Sequence, residues 1–251
     1  MSDSSKDTLF DIDRIDQDFV FTDRVVEVFD DMVNRSVPFY HEAIQASAQL
    51  LAAHLRPDDL VVDLGCATGT TLLQLAGLLK ELPLHFLGLD NSGAMLDKAR
   101  LKAELFSKQE MISFILGDIT QVDQPDTGAF LLNYTMQFIR PVQRPSFIRR
   151  LHANLRPGGI LLLSEKTIVG HSGLNRRYID IYHTFKRERG YSELEIAKKR
   201  EALENVLIPF SIEENRALLR EAGFSCVEVF FQWFNFCSLI AIKDDQATSL
   251  S

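Results

Sequence analysis

Short apolar runs alternate with helical patterns through the middle of this 251-residue chain. Each run is rich in Leu, Ile, Val or Phe and stops at a small or polar residue, which is typical of buried strands. We predict strands at Leu60–Leu64, Leu84–Leu89, Met111–Leu116, Ala129–Asn133 and Ile160–Ser164. Because the runs are continuously apolar, they favour parallel strands that are covered on both faces. Right-handed crossovers between them would build a doubly wound α/β sheet.

Amphipathic segments with capping residues lie between the strands and after them. Ser92 is a predicted N-cap, and Ser211 with Glu214 forms a predicted capping box before a helix that ends at Gly223. Pro157-Gly158-Gly159 is a predicted turn. The predicted helices are Tyr40–His54, Thr70–Lys80, Ala94–Phe106, Pro141–Asn154 and Ser211–Glu221.

Two further strands, Ser225–Gln232 and Asn235–Ile242, close the pattern. The gap between them is too short for a crossover helix, so they must pair antiparallel. The prediction is a mostly parallel seven-stranded sheet with a C-terminal antiparallel hairpin.

One segment, 167–209, has no strand pattern and is dense in charged and aromatic residues. We predict two helices that meet near Gly190, with Ser192 capping the second. An insertion at this place lies over the carboxyl edge of the sheet, so it would form a lid, and it could also be a dimer contact. The alternative is a solvated pair of helices.

The N-terminal region reads as a helical cap, because Val25, Val28, Phe29 and Met32 recur at helical spacing. The first nine residues are polar and expected to be loose. The predicted organisation follows in five segments. They are a helical cap (1–56, disordered at its start), a nucleotide-binding core (57–166), a helical lid or dimer insertion (167–209), a segment that completes the sheet (210–243), and a disordered tail (244–251).

Composition narrows the class of protein. A hydrophobic content of 46% fits a globular protein with a real core, and a net charge of −8 argues against a chain that wraps nucleic acid. Three cysteines, Cys66, Cys226 and Cys237, lack metal-ligand spacing and read as reduced thiols. There is no apolar run near the roughly 20 residues that span a bilayer, and no apolar signal core. We expect a cytoplasmic protein without membrane contact.

The stretch Leu60–Gly69, LVVDLGCATG, is the strongest candidate for chemistry. Gly65 and Gly69 allow a sharp turn and a close approach to a ligand between a strand and a helix. The full dinucleotide pattern is incomplete, because Ala67 occupies the middle small position. Asp90 ends the second strand, where an acidic side chain can bind ribose hydroxyls. The alternative is a plain strand–helix turn in another α/β protein.

Together, VDLGCATG and GLD resemble motifs I and II of the class I S-adenosylmethionine (SAM) dependent methyltransferases. The resemblance implies a Rossmann-like fold and a SAM site at the carboxyl ends of successive strands. The implied contacts are the turn Gly65, Cys66 and Ala67 for the amino-acid end, Asp90 with Asn91 for the ribose, Asp118 with Ile119 for the adenine, and Asn133 for the reacting carbon.

A closer resemblance covers almost the whole chain. The segments RVVEVFDDMVNRSVPFY, LDNSGAM, LNYTMQF, LRPGGILLLSEK, FKRERGYSELEIAKKREALENV and FQWFNFCSL look like the bacterial carboxy-SAM synthase family. That resemblance implies an enzyme that converts SAM and prephenate to carboxy-SAM, phenylpyruvate and water. It also implies a homodimer and a product that supplies a separate tRNA carboxymethyltransferase. Because the sequence shows no cluster with metal-ligand spacing, we expect no metal.

The family resemblance also assigns two residues. Arg200 matches the arginine that binds the new carboxylate and carries the catalytic role, and Tyr40 matches a ligand-contacting tyrosine. We expect no direct tRNA binding, although functional coupling to the downstream transferase is implied. From the residues alone, Arg200 could be a surface charge and Tyr40 a half-buried tyrosine at a helix start.

Two alternative functions stay open at this point. One is an ordinary SAM-dependent methyltransferase that acts on a small molecule, and the other is a catalytically silent SAM-binding or scaffold protein. The mass of a copurified ligand, combined with turnover on prephenate, distinguishes these alternatives from a synthase.

Overall fold

The structure is a computed structural model that describes residues 23–203 and 206–245. The strands are β1 (Leu60–Leu64), β2 (His85–Asp90), β3 (Ile112–Leu116), β4 (Thr127–Asn133), β5 (Leu155–Lys166), β6 (Cys226–Trp233) and β7 (Phe236–Ile242). The helices are α1 (Asp23–Ser36), α2 (Tyr40–His54), α3 (Thr70–Leu78), α4 (Gly93–Leu105), α5 (Arg144–Asn154), α6 (Ser172–Glu188), α7 (Glu193–Leu203) and α8 (Ile212–Glu221). Among these helices, none has the length and apolar character that a membrane crossing requires.

All seven strands form one sheet in the order β3-β2-β1-β4-β5-β7-β6. The first five are parallel, and β7 pairs antiparallel with both β5 and β6. The predicted seven-stranded sheet with its antiparallel hairpin is therefore confirmed. The strand order reverses between β1 and β4, which is the place where open α/β sheets bind their ligands.

Alternate residues of β4 explain how the sheet builds two cores. Phe130 and Leu132 belong to one buried cluster with side chains of α5 and α8. Ala129 and Leu131 belong to a second cluster with side chains of α2, α3 and α4. Since successive side chains of a strand point to opposite faces, a continuously apolar strand requires helices on both sides. This arrangement leaves the carboxyl edge of the parallel strands as the open end.

The clearest departure from the sequence prediction is at the start of β5. The segment Pro157-Gly158-Gly159, predicted as a turn, lies within this strand. The Gly158 N–H donates to Lys243 O at 3.1 Å, and the Lys243 N–H donates to Gly159 O at 3.0 Å. Gly158 has a φ of +71°, so the strand is irregular there. Long-range pairing with the end of β7 therefore overrides the local turn preference.

Smaller departures concern element ends. Helix α3 ends at Leu78, and the predicted helix from Pro141 begins with a separate 3-10 turn, Pro141–Gln143. The expected loose N-terminal residues and most of the expected disordered tail, 246–251, lie outside the described residues.

Helices α6 and α7 follow the predicted pattern. Gly190 lies between them with a φ of +84°. The Ser192 N–H donates to Glu195 Oε2 at 2.7 Å, and the Glu195 N–H donates to Ser192 Oγ at 3.2 Å. This reciprocal capping defines the start of α7.

Candidate functional site

The turn after β1 has the left-handed backbone that its glycines predict. The φ angles of Gly65 and Gly69 are +80° and +72°. A Cβ on Gly65 would lie 2.5 Å from Thr135 Cγ2, so no larger residue fits without a shift. Ala67 also has a positive φ, +45°, which for a residue with a Cβ costs about 1–2 kcal/mol. Strain of this kind is typical of ligand-binding turns.

Hydrogen bonds tie this turn to the end of β2. The N–H groups of Gly65 and Cys66 donate to Leu89 O at 2.7 and 3.2 Å. The Ala67 N–H donates to Asp90 Oδ2 at 2.9 Å, while Asp90 Oδ1 accepts from the Ser92 N–H at 2.9 Å. Burial raises the pKa of Asp90 despite these bonds. The predicted ribose carboxylate and the predicted turn thus form one connected unit.

Two buried groups beside the turn have strongly shifted acidities. Burial, together with the charge of Asp90, raises the pKa of Asp63 to about 7. Burial and the charges of Asp63 and Asp90 raise the pKa of the Cys66 thiol. A thiol held in its protonated form is a poor nucleophile, so Cys66 acts here as a small packing residue.

One cavity of about 640 Å³ contains every residue that the sequence predicted for the site. Its volume lies in the range of roughly 300–1,000 Å³ that small-molecule sites occupy. The predicted residues on its wall are Tyr40, Gly65, Cys66, Ala67, Asp90, Asn91, Asp118, Ile119, Asn133 and Arg200. The carboxyl ends of β1 to β4 bring together side chains that are far apart in the chain.

Individual contacts define how some of these residues are held. The Tyr40 hydroxyl lies 3.0 Å from Thr71 Oγ1 at the start of α3, and burial raises the pKa of this tyrosine. Asp118 Oδ1 accepts hydrogen bonds from the backbone N–H and the hydroxyl of Thr120, at 2.9 and 2.8 Å. Asn133 is the last residue of β4 and lies half-buried at the cavity wall.

Helices α6 and α7 complete the cavity with positive charge. Lys186 comes from α6, and Lys199 and Arg200 come from α7. Arg200 is an exposed residue that still reaches the cavity wall. Lys166, at the end of β5, also lines the cavity and adds a positive charge from the sheet edge.

A second group of residues beside the site was not predicted from the sequence. Asp30 of α1 accepts from Thr68 Oγ1 at 2.6 Å and from Thr70 Oγ1 at 2.8 Å. Lys102 of α4 donates to Asp30 Oδ2 at 3.0 Å. These contacts hold α1 against the ligand turn. They join residues 38 and 72 positions apart, so no local pattern could predict them.

No group of three or more His, Cys, Asp or Glu side chains in the described part of the chain is arranged to hold a metal ion. The thiols of Cys66, Cys226 and Cys237 are all free. The polar groups on the cavity wall include amides, hydroxyls, carboxyls, the Cys66 thiol, the His183 imidazole and the cationic side chains described above.

A family model described as "Methyltransferase domain" matches residues 61–159, which span β1 to the start of β5. Relatives over nearly the full length carry a more specific name. The carboxy-S-adenosyl-L-methionine synthase of Desulfotalea psychrophila is 61% identical, covering 95% of this chain and 97% of the relative. The enzymes of the same name from Nautilia profundicola and Wolinella succinogenes are 45% and 43% identical, covering 91% and 96% of this chain and 96% and 99% of the relatives.

Solved structures resemble this fold at much lower sequence identity. A putative S-adenosyl-L-methionine-dependent methyltransferase from Methanococcus maripaludis has a TM-score of 0.63 at 19% identity, covering 93% of this chain and 98% of its own. Human N-acetylserotonin methyltransferase in complex with SAM has a TM-score of 0.61 at 16% identity, covering 88% of this chain and 55% of its own. These likenesses show the methyltransferase fold.

Proposed function

This chain belongs to the carboxy-S-adenosyl-L-methionine synthase family, and from that premise we propose that it makes carboxy-SAM from SAM and prephenate. It is an enzyme with the fold of the SAM-dependent methyltransferases. The observation that carries the proposal is a single cavity that contains both the predicted SAM contacts and Arg200 of α7. Such a cavity holds a sulfonium substrate and presents a guanidinium for an added carboxylate.

In the proposed reaction, prephenate aromatises by losing carbon dioxide and hydroxide, which leaves phenylpyruvate. The hydroxide removes a proton from the S-methyl group of SAM and becomes water. The carbanion of the resulting sulfonium ylide attacks the carbon of carbon dioxide, and the new carbon–carbon bond forms the carboxymethyl group. All atoms of both substrates are accounted for in carboxy-SAM, phenylpyruvate and water.

This chemistry asks little of the protein as an acid or base. The enzyme must hold the two reactants together, keep bulk water away from the ylide and supply positive charge for carboxylates. The buried, protonated thiol of Cys66 and the cations of α6 and α7 agree with that division of work. No metal takes part in the proposed steps.

The direct test is turnover. Purified enzyme incubated with SAM and prephenate is expected to add the mass of one carboxyl group to SAM and to release phenylpyruvate, with both detected by mass spectrometry. Omission of prephenate should leave SAM unchanged. Formation of S-adenosylhomocysteine with a small-molecule acceptor, and no carboxy-SAM with prephenate, would instead indicate an ordinary methyltransferase.

A pair of variants tests the site. Arg200→Ala is expected to leave SAM binding nearly unchanged but to weaken carboxy-SAM at least tenfold, about 1.4 kcal/mol. Asp90→Ala should weaken both ligands together, because the ribose is common to them. Calorimetry with both ligands separates the two roles, and an equal loss of both ligands in Arg200→Ala would remove the carboxylate role from that residue.

We further propose a cytoplasmic homodimer whose product supplies a separate enzyme that carboxymethylates the hydroxylated wobble uridine of tRNA. The net charge of −8 supports a pathway in which this chain itself does not bind tRNA. Sedimentation velocity tests the dimer. A gel-shift titration with tRNA tests the expected lack of direct binding.

A further inference from the structure

Two ammonium groups share one aromatic ring at the cavity wall. Lys166 Nζ, from the end of β5, lies 5.0 Å from the centroid of the Tyr182 ring. Lys186 Nζ, one turn further along α6 than Tyr182, lies 4.6 Å from the same centroid. All three residues line the cavity that holds the predicted SAM contacts. The electron-rich ring face stabilises both cations but neutralises neither.

The charge of Lys166 has no counter-ion within the part of the chain that the structure describes. Its ammonium forms no ion pair there, and burial alone lowers its pKa. Its backbone N–H donates to Gln137 Oε1 at 3.3 Å. This bond holds the end of the strand in place but does not involve the ammonium group. Lys166 is half-buried, and charges withdrawn from water in proteins are normally paired, because removing an ion from water is costly. A cation left unpaired on a cavity wall therefore marks the place of an anionic ligand.

The surroundings strengthen the positive character of this place. His183 lies in the same cavity wall, and burial lowers its pKa. The positive charges that lower the pKa of His183 further are, in order of effect, those of Lys186, Lys166 and Arg200. These three cations are therefore close enough to act on one imidazole, although they come from β5, α6 and α7.

We propose that Lys166, together with Lys186, binds the carboxylate of the second substrate that is retained in the product, the carboxylate of its 2-oxo-acid side chain. This inference rests on the proposed function, in which one carboxylate of a dicarboxylate leaves as carbon dioxide and the other stays. Binding the departing carboxylate tightly would stabilise the ground state and oppose its loss. Binding the retained carboxylate equally before and after reaction anchors the substrate without that penalty.

Phenylpyruvate is the appropriate probe, because it carries the retained carboxylate and needs no turnover to be measured. In calorimetry with SAM present, Lys166→Met is expected to weaken phenylpyruvate at least tenfold, as loss of a charge-assisted hydrogen bond would do. SAM affinity should change less than twofold. Lys166→Arg keeps the charge and is expected to recover most of the phenylpyruvate affinity.

Lys80→Met is the matched control, because the same change is made at an exposed lysine outside the cavity. In steady-state assays, Lys166→Met should raise the KM for prephenate by the same factor as it weakens phenylpyruvate. Unchanged phenylpyruvate affinity in Lys166→Met, or a parallel loss of SAM affinity, overturns the proposal.

The two proposals fail in different ways. A wild-type enzyme that makes no carboxy-SAM from prephenate would contradict the proposed function, whatever Lys166 does. Wild-type turnover with undiminished phenylpyruvate binding in Lys166→Met would contradict only the assignment of this carboxylate site.

Discussion

The two edges of the parallel sheet differ in how completely their buried ionisable groups are paired. At the amino edge, Asp59 precedes β1 and Arg156 lies at the start of β5. Arg156 Nε donates to Asp59 Oδ1 at 2.8 Å, and Arg156 Nη2 donates to Asp59 Oδ2 at 2.5 Å. Burial by itself raises the pKa of Asp59, but these bonds and charges lower it overall. Both side chains are only 9% exposed. Both carboxylate oxygens of Asp59 and all three guanidinium nitrogens of Arg156 take part in hydrogen bonds.

At the carboxyl edge, buried ionisable groups lack some of their hydrogen-bond partners in the part of the chain that the structure describes. Asp63 Oδ1 and Glu165 Oε1 have no hydrogen-bond partner among the described residues. Burial raises the pKa of Glu165 to about 8, although the charge of Arg144 opposes the shift. Lys166, the next residue, lines the cavity and forms no ion pair with any residue that the structure describes.

The paired groups at the amino edge contribute to stability, whereas the incompletely partnered groups at the carboxyl edge indicate a functional site. A bidentate pair such as Asp59–Arg156 satisfies its own charges and closes one end of the fold. Ionisable groups that lack partners at the other end are costly to bury, and such a cost is typical of functional sites. One edge of the sheet therefore holds the fold together, and we propose that substrate completes the other.

Replacing a cationic side chain by Met at each edge should give the largest difference in stability, so it tests this comparison most strongly. Arg156→Met leaves Asp59 buried and unpaired, so we expect a loss of about 3–5 kcal/mol in the free energy of unfolding. Lys166→Met removes a charge that has no ion-pair partner among the described residues, so the free energy of unfolding of the ligand-free variant should fall by less than about 1 kcal/mol or rise. Urea denaturation without ligand measures both, and equal losses would refute the distinction.

A smaller effect concerns the pH dependence of stability. Asp63 has a pKa of about 7 in the folded state and near 4 when unfolded. The folded state binds the Asp63 proton more tightly than the unfolded state does. The stabilisation that this carboxyl contributes is therefore fully present below pH 4 and is lost as the pH rises through 7. Asp63→Asn should remove this loss. Between pH 4 and pH 8, the free energy of unfolding of wild type should fall by about 1–4 kcal/mol more than that of the variant.

Thermal or urea unfolding at both pH values checks this expectation. Glu165 is present in both proteins, so the difference between them isolates Asp63. A wild-type protein and an Asp63→Asn variant with parallel pH profiles would show that the Asp63 carboxyl is not protonated in the fold.

The smallest effect is expected at a pair that belongs to neither edge. Arg100 Nη1 lies 2.9 Å from Asp97 Oδ1 on α4, and the side chains are 47% and 79% exposed. Water screens such a pair, so Asp97→Ala should change the free energy of unfolding by less than about 0.5 kcal/mol. A loss as large as that of Arg156→Met would mean that the contribution of an ion pair to the free energy of unfolding depends on the distance between the charges and not on their burial.

Much of the fold was readable in the sequence because it depends on local patterns. Continuous apolar runs such as Leu60–Leu64 identified parallel strands, and the short gap before Phe236 required an antiparallel hairpin. The capping pairs at Ser192 and Ser211 were also local, and both are present. The turn at Pro157-Gly158-Gly159 was mispredicted, since its pairing partner near Lys243 is far along the chain.

The residues of the candidate site also fall into two groups, those that local sequence patterns predict and those that only the tertiary structure brings together. Sequence alone determined which residues end the parallel strands, and those ends must meet at one edge of the sheet, so Asp90, Asp118 and Asn133 share a cavity. Only the tertiary structure decided that Asp30 holds the turn and that Lys166 and Lys186 share the Tyr182 ring. Strand ends are fixed by short-range periodicity, whereas burial and pairing of charge depend on distances between elements that the chain order does not specify.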